Sequence, residues 1–221
     1  MQSLITNYGD DRKITGVHNS LATNDRQSIT FLEGFNVTKL YREEDSGLVK
    51  VEHLLQLDLD SEFDRANDAY LLDEVVAVRV NETEFRFFTQ PLVRSLPVKP
   101  IAMAPFGEGT RNSKTDETDF DYSKFFDLSF APNKGAAEYT LFGIRDKQLV
   151  KIVYEIEEDS DGEFYVTHNI TTKEDDKLDG EHPRLEVTDE LLIVTSSDGN
   201  SPGVFIFDHE WNLIKDFSLL E

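Results

Sequence analysis

The feature that most constrains this 221-residue chain is a hydrophobic period of two. In GLVKVEHLLQLDLD, Val49, Val51, His53, Leu55, Leu57 and Leu59 fall on every second position. A strand sends successive side chains to opposite faces, so this spacing predicts one long strand with a single apolar face. The same period recurs at Val76, Val78 and Val80, at Val150, Ile152, Tyr154 and Ile156, and at Phe164, Val166, His168 and Ile170. ELLIVT, GVFIFD and NLIKDFSL are further strand candidates, each bounded by turn residues. EFRFFT (84–89) follows EVVAVRV after the polar turn at Asn81-Glu82, which predicts a hairpin. Helical signals are few. Ser61-Glu62-Phe63-Asp64 predicts a cap for a short helix carrying Phe63, Tyr70 and Leu71, and Asp119–Phe126 has room for a turn or two. Connections too short for crossovers imply antiparallel neighbours. The expectation is a single β-rich domain over residues 1–221, all-β and built of antiparallel meanders, with long polar loops near 104–123 and 173–183.

The chain also repeats itself. Residues 71–98, LLDEVVAVRV continuing into EFRFFTQPLVRSLPV, run parallel to residues 187–219. Both carry Asp-Glu before an apolar strand, then a polar turn, an aromatic strand, and a third strand. The offset between Asp73 and Asp189 is close to three units of about forty residues, a blade length in propeller folds. Residues 138–170 and 28–57 supply two more three-strand meanders. The closing unit resembles an NHL-type blade at Thr188-Asp189-Glu190, Gly203–Asp208 and Trp211–Phe217. That resemblance implies a β-propeller, either small with about five blades or part of a larger one. The WD dipeptide with its upstream Gly-His is absent, which sets the chain apart from WD-type propellers. A β-sandwich or irregular barrel also produces short strands at regular spacing and stays open as the alternative.

Composition narrows the function classes. Hydrophobic residues make up 38% of the chain and include 16 Phe and 7 Tyr, enough for an aromatic-rich core. There is no cysteine, so disulfides, thiolate nucleophiles and Cys-ligated zinc are excluded. The sequence shows no signal-like leader and no apolar run of membrane-spanning length. Together these point to a cytoplasmic protein that does not engage membranes. The formal net charge is −22, which repels phosphate backbones and disfavours direct nucleic-acid binding. Residues 151–221 hold 19 acidic and 5 basic side chains, so most of the excess sits in the last third.

The most acidic stretch is EEDSDGE, Glu157–Glu163. Glu157, Asp159 and Asp161 alternate ahead of Gly162, as the hard-oxygen ligands of calcium loops do, and they are the metal-ligand candidates. The twelfth position of such a loop is His168 rather than glutamate, and no helices flank it. A polar hairpin tip accounts for the same residues, with Ser160-Asp161-Gly162 as the turn. No nucleophile elbow, P-loop or dinucleotide fingerprint occurs, and no cofactor is expected. None of His18, His53, His168, His182 and His209 is spaced as a metal pair on one element, and His53 and His168 are expected to be buried or half-buried. Two acidic runs, Asp58–Asp64 and Asp116–Asp121, offer carboxylate pairs of no particular geometry. The expected function is a non-enzymatic interaction module that docks a basic protein surface through Glu157, Glu158, Asp159, Asp161, Asp175 and Asp176. Two alternatives remain open. One is a nucleic-acid mimic that inhibits a DNA-binding protein. The other is a carbohydrate-binding or glycoside-acting propeller.

Overall fold

The computed structural model describes residues 14–19, 28–43, 45–60, 62–72, 75–89, 97–103, 122–132, 137–178, 183–196 and 202–218. The strands are β1 (Ile14–Asn19), β2 (Ser28–Glu33), β3 (Asn36–Arg42), β4 (Val49–Leu57), β5 (Ala66–Leu72), β6 (Val75–Val80), β7 (Glu84–Thr89), β8 (Pro97–Val98) and β9 (Ala102–Met103). There follow β10 (Asp127–Phe130), β11 (Glu138–Arg145), β12 (Gln148–Glu158), β13 (Phe164–Glu174), β14 (Arg184–Val187), β15 (Leu191–Ser196), β16 (Gly203–Asp208) and β17 (Leu213–Ser218). Two single-turn 3-10 segments lie at Tyr122–Lys124 and Asp176–Leu178, and the described residues contain no α-helix. The fold is all-β. The strands form four sheets, in the orders β1-β2-β3-β4-β8, β5-β6-β7, β10-β11-β12-β13-β9 and β14-β15-β16-β17. Two pairs, β4 with β8 and β13 with β9, are parallel, each over two of the described residues, and they depart from the expected antiparallel rule. Such short parallel contacts need no crossover helix, because they only lay a passing segment against a sheet edge.

The chain divides into two compact units. The first holds β1 to β8, apart from Glu82–Glu84, and the second holds the remainder from β9 to β17. In the first unit, β6 is covered on both faces. Val75, Val76, Ala77 and Val78 are all buried, as are Phe85, Phe87 and Phe88 of β7. The period-two reading of EVVAVRV therefore finds the strand and understates its burial, and both rings of the Phe87-Phe88 doublet are core. In the second unit, Phe142, Ile144 and Leu149 from β11 and β12 pack with Leu185, Val187, Leu192, Val194, Phe205 and Phe207 from the last sheet. Alternate residues of β12 fill the opposite face of its sheet, where Val150, Ile152 and Tyr154 are buried. Gly143 lies in β11 under the Phe125 ring: a Cβ there would come within 2.5 Å of that ring and 2.7 Å of Leu128.

The internal repeat appears as matched strands. β6 and β15 span residues 75–80 and 191–196, the same offset as Asp73 to Asp189. β5 and β14 precede them, and β7 and β16 follow. The third strand of the first copy does not match, because Pro97–Val98 pairs with Gln56 and Leu57 of β4 instead of with β7. The short helix expected at 61–64 is replaced by a turn at Glu62–Phe63, with Tyr70 and Leu71 in strand β5. The second polar loop is shorter than expected, since β13 runs to Glu174 and the 3-10 turn at 176–178 buries Leu178. Most of the first polar loop, 104–121, lies outside the described residues, as do Asp116–Asp121 and His182.

The long alternation at 49–59 is broken by one extra residue. The register of β3 against β4 passes from Val37–Leu55 to Thr38–His53, so Leu54 bulges out of the ladder. A bulge reverses the phase of alternation. Leu54, Leu55 and Leu57 are buried, whereas Val49 and Val51 are 52% and 42% exposed and His53 is exposed with them. His53, expected in the interior, sits outside for this reason, its Nδ1 3.1 Å from Thr38 Oγ1.

Tight turns carry local strain. Asp146 and Lys147, between paired Arg145 and Gln148, have φ of 46° and 66°; Asn81 and Glu82 have 53° and 60°. Two consecutive left-handed residues make a type I′ turn, whose second position favours glycine. Glu82→Gly is expected to raise stability by about 0.5–1 kcal/mol and Glu82→Val to lower it, read as opposite shifts in the thermal midpoint. Gly143→Ala is expected to cost about 1–3 kcal/mol through overpacking against Phe125, measured by denaturant unfolding.

Candidate functional site

β12 and β13 are eleven residues each and pair along their whole length without a register shift. Among the described residues β11 accompanies β12 as far as the Glu138–Glu155 pair, with Ile156 N donating to Ala137 O beyond it, and β9 pairs with β13 at Tyr165 and Val166. Residues 157–164 therefore run past the end of β11 as the tip of a hairpin. Between Ile152 and Thr172 the sequence has six carboxylates and no lysine or arginine. Glu155, Glu157, Glu158, Asp159, Asp161 and Glu163 are all exposed, and Phe164 beside them is 52% exposed.

Asp159 closes the tip. Its Oδ1 accepts the amides of Asp161 and Glu163, both at 2.9 Å, and its own amide donates to Glu163 O at 2.9 Å. Gly162 at φ +83° supplies the left-handed step that the turn requires. Glu157 Oε2 accepts the Tyr165 hydroxyl at 2.6 Å, a hydrogen bond that raises the phenol above its ordinary pKa. Of the three metal-ligand candidates, Asp159 is turned into its own loop and Glu157 accepts from Tyr165. Among the described residues no three His, Asp or Glu side chains gather as a metal-binding set.

The remaining two docking candidates lie elsewhere. Asp175 and Asp176 sit beyond Glu174, at the opposite end of the same hairpin, about 33 Å from the tip at a strand rise of about 3.3 Å per residue. Asp175 Oδ1 accepts the Lys177 amide at 3.1 Å and its amide donates to Lys147 O at 3.0 Å, while Asp176 is exposed. Cations crowd this end. Lys177 hydrogen-bonds and ion-pairs with Asp216, holding that carboxyl below its ordinary range, and Lys173 Nζ donates to Trp211 O at 2.6 Å. The six residues grouped in the sequence are therefore two surfaces, an acidic tip and a mixed-charge base.

A second aspartate turn lies between the Gly203–Asp208 and Trp211–Phe217 segments of the NHL-like unit. Asp208 Oδ1 accepts the amides of Glu210 at 3.0 Å and Asn212 at 2.8 Å, and Asp208 N donates to Asn212 O at 3.0 Å. Trp211 stands where Gly162 stands in the first turn, at φ +66°. DSDGE and DHEWN share an aspartate, an acidic residue two places on and a left-handed residue three places on, and that spacing is the signal that relates them. Trp211 packs against the core of the second unit, and its Nε1 is buried with no hydrogen-bond partner among the described residues. His209 Nε2 lies 3.1 Å from Thr188 O and its ring 4.9 Å from Phe142.

The other polar groups are structural in their geometry. The hydroxyls of Tyr122 and Tyr154 meet at 2.7 Å in the interior of the second unit, and burial holds both phenols above the usual range. His168 is half-buried beside the Tyr154 ring, and desolvation lowers its pKa. Asp64 takes both guanidinium nitrogens of Arg86, at 2.8 and 3.1 Å, and that hydrogen bonding keeps its carboxyl low. Asp60 Oδ1 caps the Glu62 amide at 2.9 Å, so the 58–64 run serves a turn.

No protein-family model matches this chain, and no curated protein matches it. Among solved structures, a Bacteroides uniformis ATCC 8492 protein proposed to be a 6-phosphogluconolactonase is 11% identical, with a TM-score of 0.44 over 93% of this chain and 53% of that one. The chain thus spans about half the length of that protein. Among the described residues no helix is long and apolar enough to cross a membrane.

Asp159→Ala is expected to cost about 1 kcal/mol, because two amides at the tip lose their acceptor, with faster amide exchange at Asp161 and Glu163 as the local readout. Hydrogen bonds from Asn212 hold Asp208 below its ordinary pKa of 3.8. Its contribution to stability is full above that value and is lost as pH falls through the depressed folded value. Melting curves between pH 5 and pH 2 are expected to fall less steeply for Asp208→Asn than for wild type.

Proposed function

We propose that the chain is an interaction module that docks a basic protein surface through the tip of the β12–β13 hairpin. The observation that carries this reading is the make-up of the tip: six exposed carboxylates in a segment whose sequence has no lysine or arginine, with a half-exposed phenylalanine in their midst. Concentrated charge of one sign steers an oppositely charged partner and sets the on-rate, while an aromatic side chain among the charges provides an apolar anchor. The tip is held by its own aspartate and by Tyr165, so it presents the charges without having to fold on contact. The cysteine-free sequence fits a reducing compartment, where the cytoplasmic placement also belongs. The matched β5-β6-β7 and β14-β15-β16 series support reading these sheets as blades of a small or partial propeller that serves as platform.

A capped arginine- and lysine-rich peptide titrated into isotope-labelled protein tests the reading. Amide shifts are expected to concentrate at Glu157–Phe164, with affinity falling as salt rises. Joint replacement of Glu157, Glu158 and Glu163 by Gln and Asp161 by Asn, sparing the turn-closing Asp159, is expected to weaken binding at least about tenfold. Shifts that avoid the tip, or an unchanged affinity in that variant, would count against it.

A further inference from the structure

The tip of the β12–β13 hairpin also holds a reactive backbone bond. Asp161 is followed by Gly162, and glycine has no side chain to shield its amide nitrogen from the carboxyl of the residue before it. In such a pair that nitrogen can close a five-membered ring onto the aspartate Cγ. Asp-Gly occurs at 161–162, 179–180 and 198–199, and the last two pairs lie outside the described residues.

Asp161 differs from the other turn aspartates. It is exposed, and among the described residues no hydrogen bond or ion pair holds its carboxylate. Asp159 and Asp208 each commit Oδ1 to two amides, and serine or histidine follows them. Around Gly162 there is room: a Cβ built there would meet Glu158 Oε1 at 3.6 Å, an ordinary contact. The Gly162 amide donates to Asp159 O at 3.2 Å, a longer bond than the 2.9 Å at which Asp159 Oδ1 takes the amides of Asp161 and Glu163. Those two shorter bonds are the latch of the tip. They hold the backbone on both sides of the reactive pair, so ring closure waits on local opening.

We infer that Asp161-Gly162 is a site of spontaneous backbone isomerisation, timed by the Asp159 latch, and that its product releases that latch. The Gly162 nitrogen gives its proton to water and bonds to Asp161 Cγ. A Cγ–O bond breaks, one water leaves, and a succinimide remains. Water then adds back to the ring. Breaking the bond from nitrogen to Cγ restores aspartate. Breaking the bond from nitrogen to the main-chain carbonyl carbon gives isoaspartate, in which the chain runs through Cβ and Cγ and the former carbonyl is a free carboxylate. Only water is exchanged, and the formal charge of the tip is unchanged. The main chain between Asp159 and Glu163 is now one carbon longer. These two residues share two bonds of 2.9 Å, from Glu163 N to Asp159 Oδ1 and from Asp159 N to Glu163 O. A turn closed that tightly has no slack for an added methylene, so the Glu163 bonds are lost. The Asp161 amide precedes the insertion and keeps its acceptor. None of this depends on what the tip binds.

The test ages the full chain at neutral pH in water enriched in heavy oxygen. The chain is then digested, and electron-based fragmentation assigns each isomer to a residue. Isoaspartate carrying heavy oxygen is expected at Asp161, forming at least about tenfold faster than at Asp159 or Asp208. Asp159→Ala is expected to speed it about fivefold, because loss of the latch populates the open tip. In the aged fraction, amide exchange at Glu163 is expected to quicken at least about tenfold while that at Asp161 holds. Asp161→Glu would have to close a six-membered ring, and is expected to show neither the isomer nor the faster exchange. Isomerisation at Asp161 no faster than at Asp208, or unchanged by Asp159→Ala, would overturn the inference. So would an isomerised fraction in which Glu163 stays protected, or the same loss of protection in aged Asp161→Glu.

Discussion

In a chain whose described residues contain no α-helix, nearly every buried amide must find its carbonyl on a neighbouring strand. The ladder is therefore the constraint on which the rest depends. It explains why strands with both faces covered, such as β6, can be apolar almost throughout: the polar backbone is consumed sideways and both faces are free to pack. It also explains why a single extra residue matters. At Leu54 one unpaired position turns Val49, Val51 and His53 outward and Leu55 and Leu57 inward, within one strand. The hydrophobic pattern alone allows either arrangement of the first half. The pairing with β3 chooses.

The second pressure is electrostatic. With 44 acidic and 22 basic residues, the chain has far more carboxylates than cations to pair them with. Many of the surplus acids are used as acceptors for backbone amides where the ladder ends. Asp60, Asp159, Asp175 and Asp208 each take an amide of their own turn. An exposed turn is the cheapest place for such a charge, because water solvates the carboxylate while the amides order it. The tip of the long hairpin carries this to its limit, since its six carboxylates have no cation nearby in sequence. At the base of the same hairpin, Lys173 and Lys177 meet a backbone carbonyl and Asp216. One supersecondary element thus has an anionic end and a balanced end.

Much of this was legible in the residues. EVVAVRV, EFRFFT, QLVKIVYEIEE and GVFIFD are strands, because β-branched and aromatic side chains at a period of two have no competing helical signal. The hairpin at EEDSDGE was legible because glycine follows a run of turn-forming residues. Less legible was anything set by long-range partners. The sequence reading grouped Asp175 and Asp176 with the tip because both stretches are acidic, and an eleven-residue strand sets them apart. QPLVRSLPV reads as the third strand of its repeat, yet Pro97 and Val98 lie against β4, a choice of neighbour that no local propensity encodes. Trp211 at positive φ was invisible for a different reason. Packing of its ring against the core overrides a backbone preference that favours glycine.

From the sequence by itself come the strand content, the places where the chain turns, the absence of cysteine chemistry and the sign of the surface charge. These follow from side-chain period, glycine and aspartate placement and simple counting, all of which act over a few residues or over none. Tertiary structure alone decided which face of β4 is inside, which strands share a sheet and which carboxylates are near one another. Those depend on pairing between residues distant in the chain, and a ladder can close in more than one register until burial on its two faces breaks the tie.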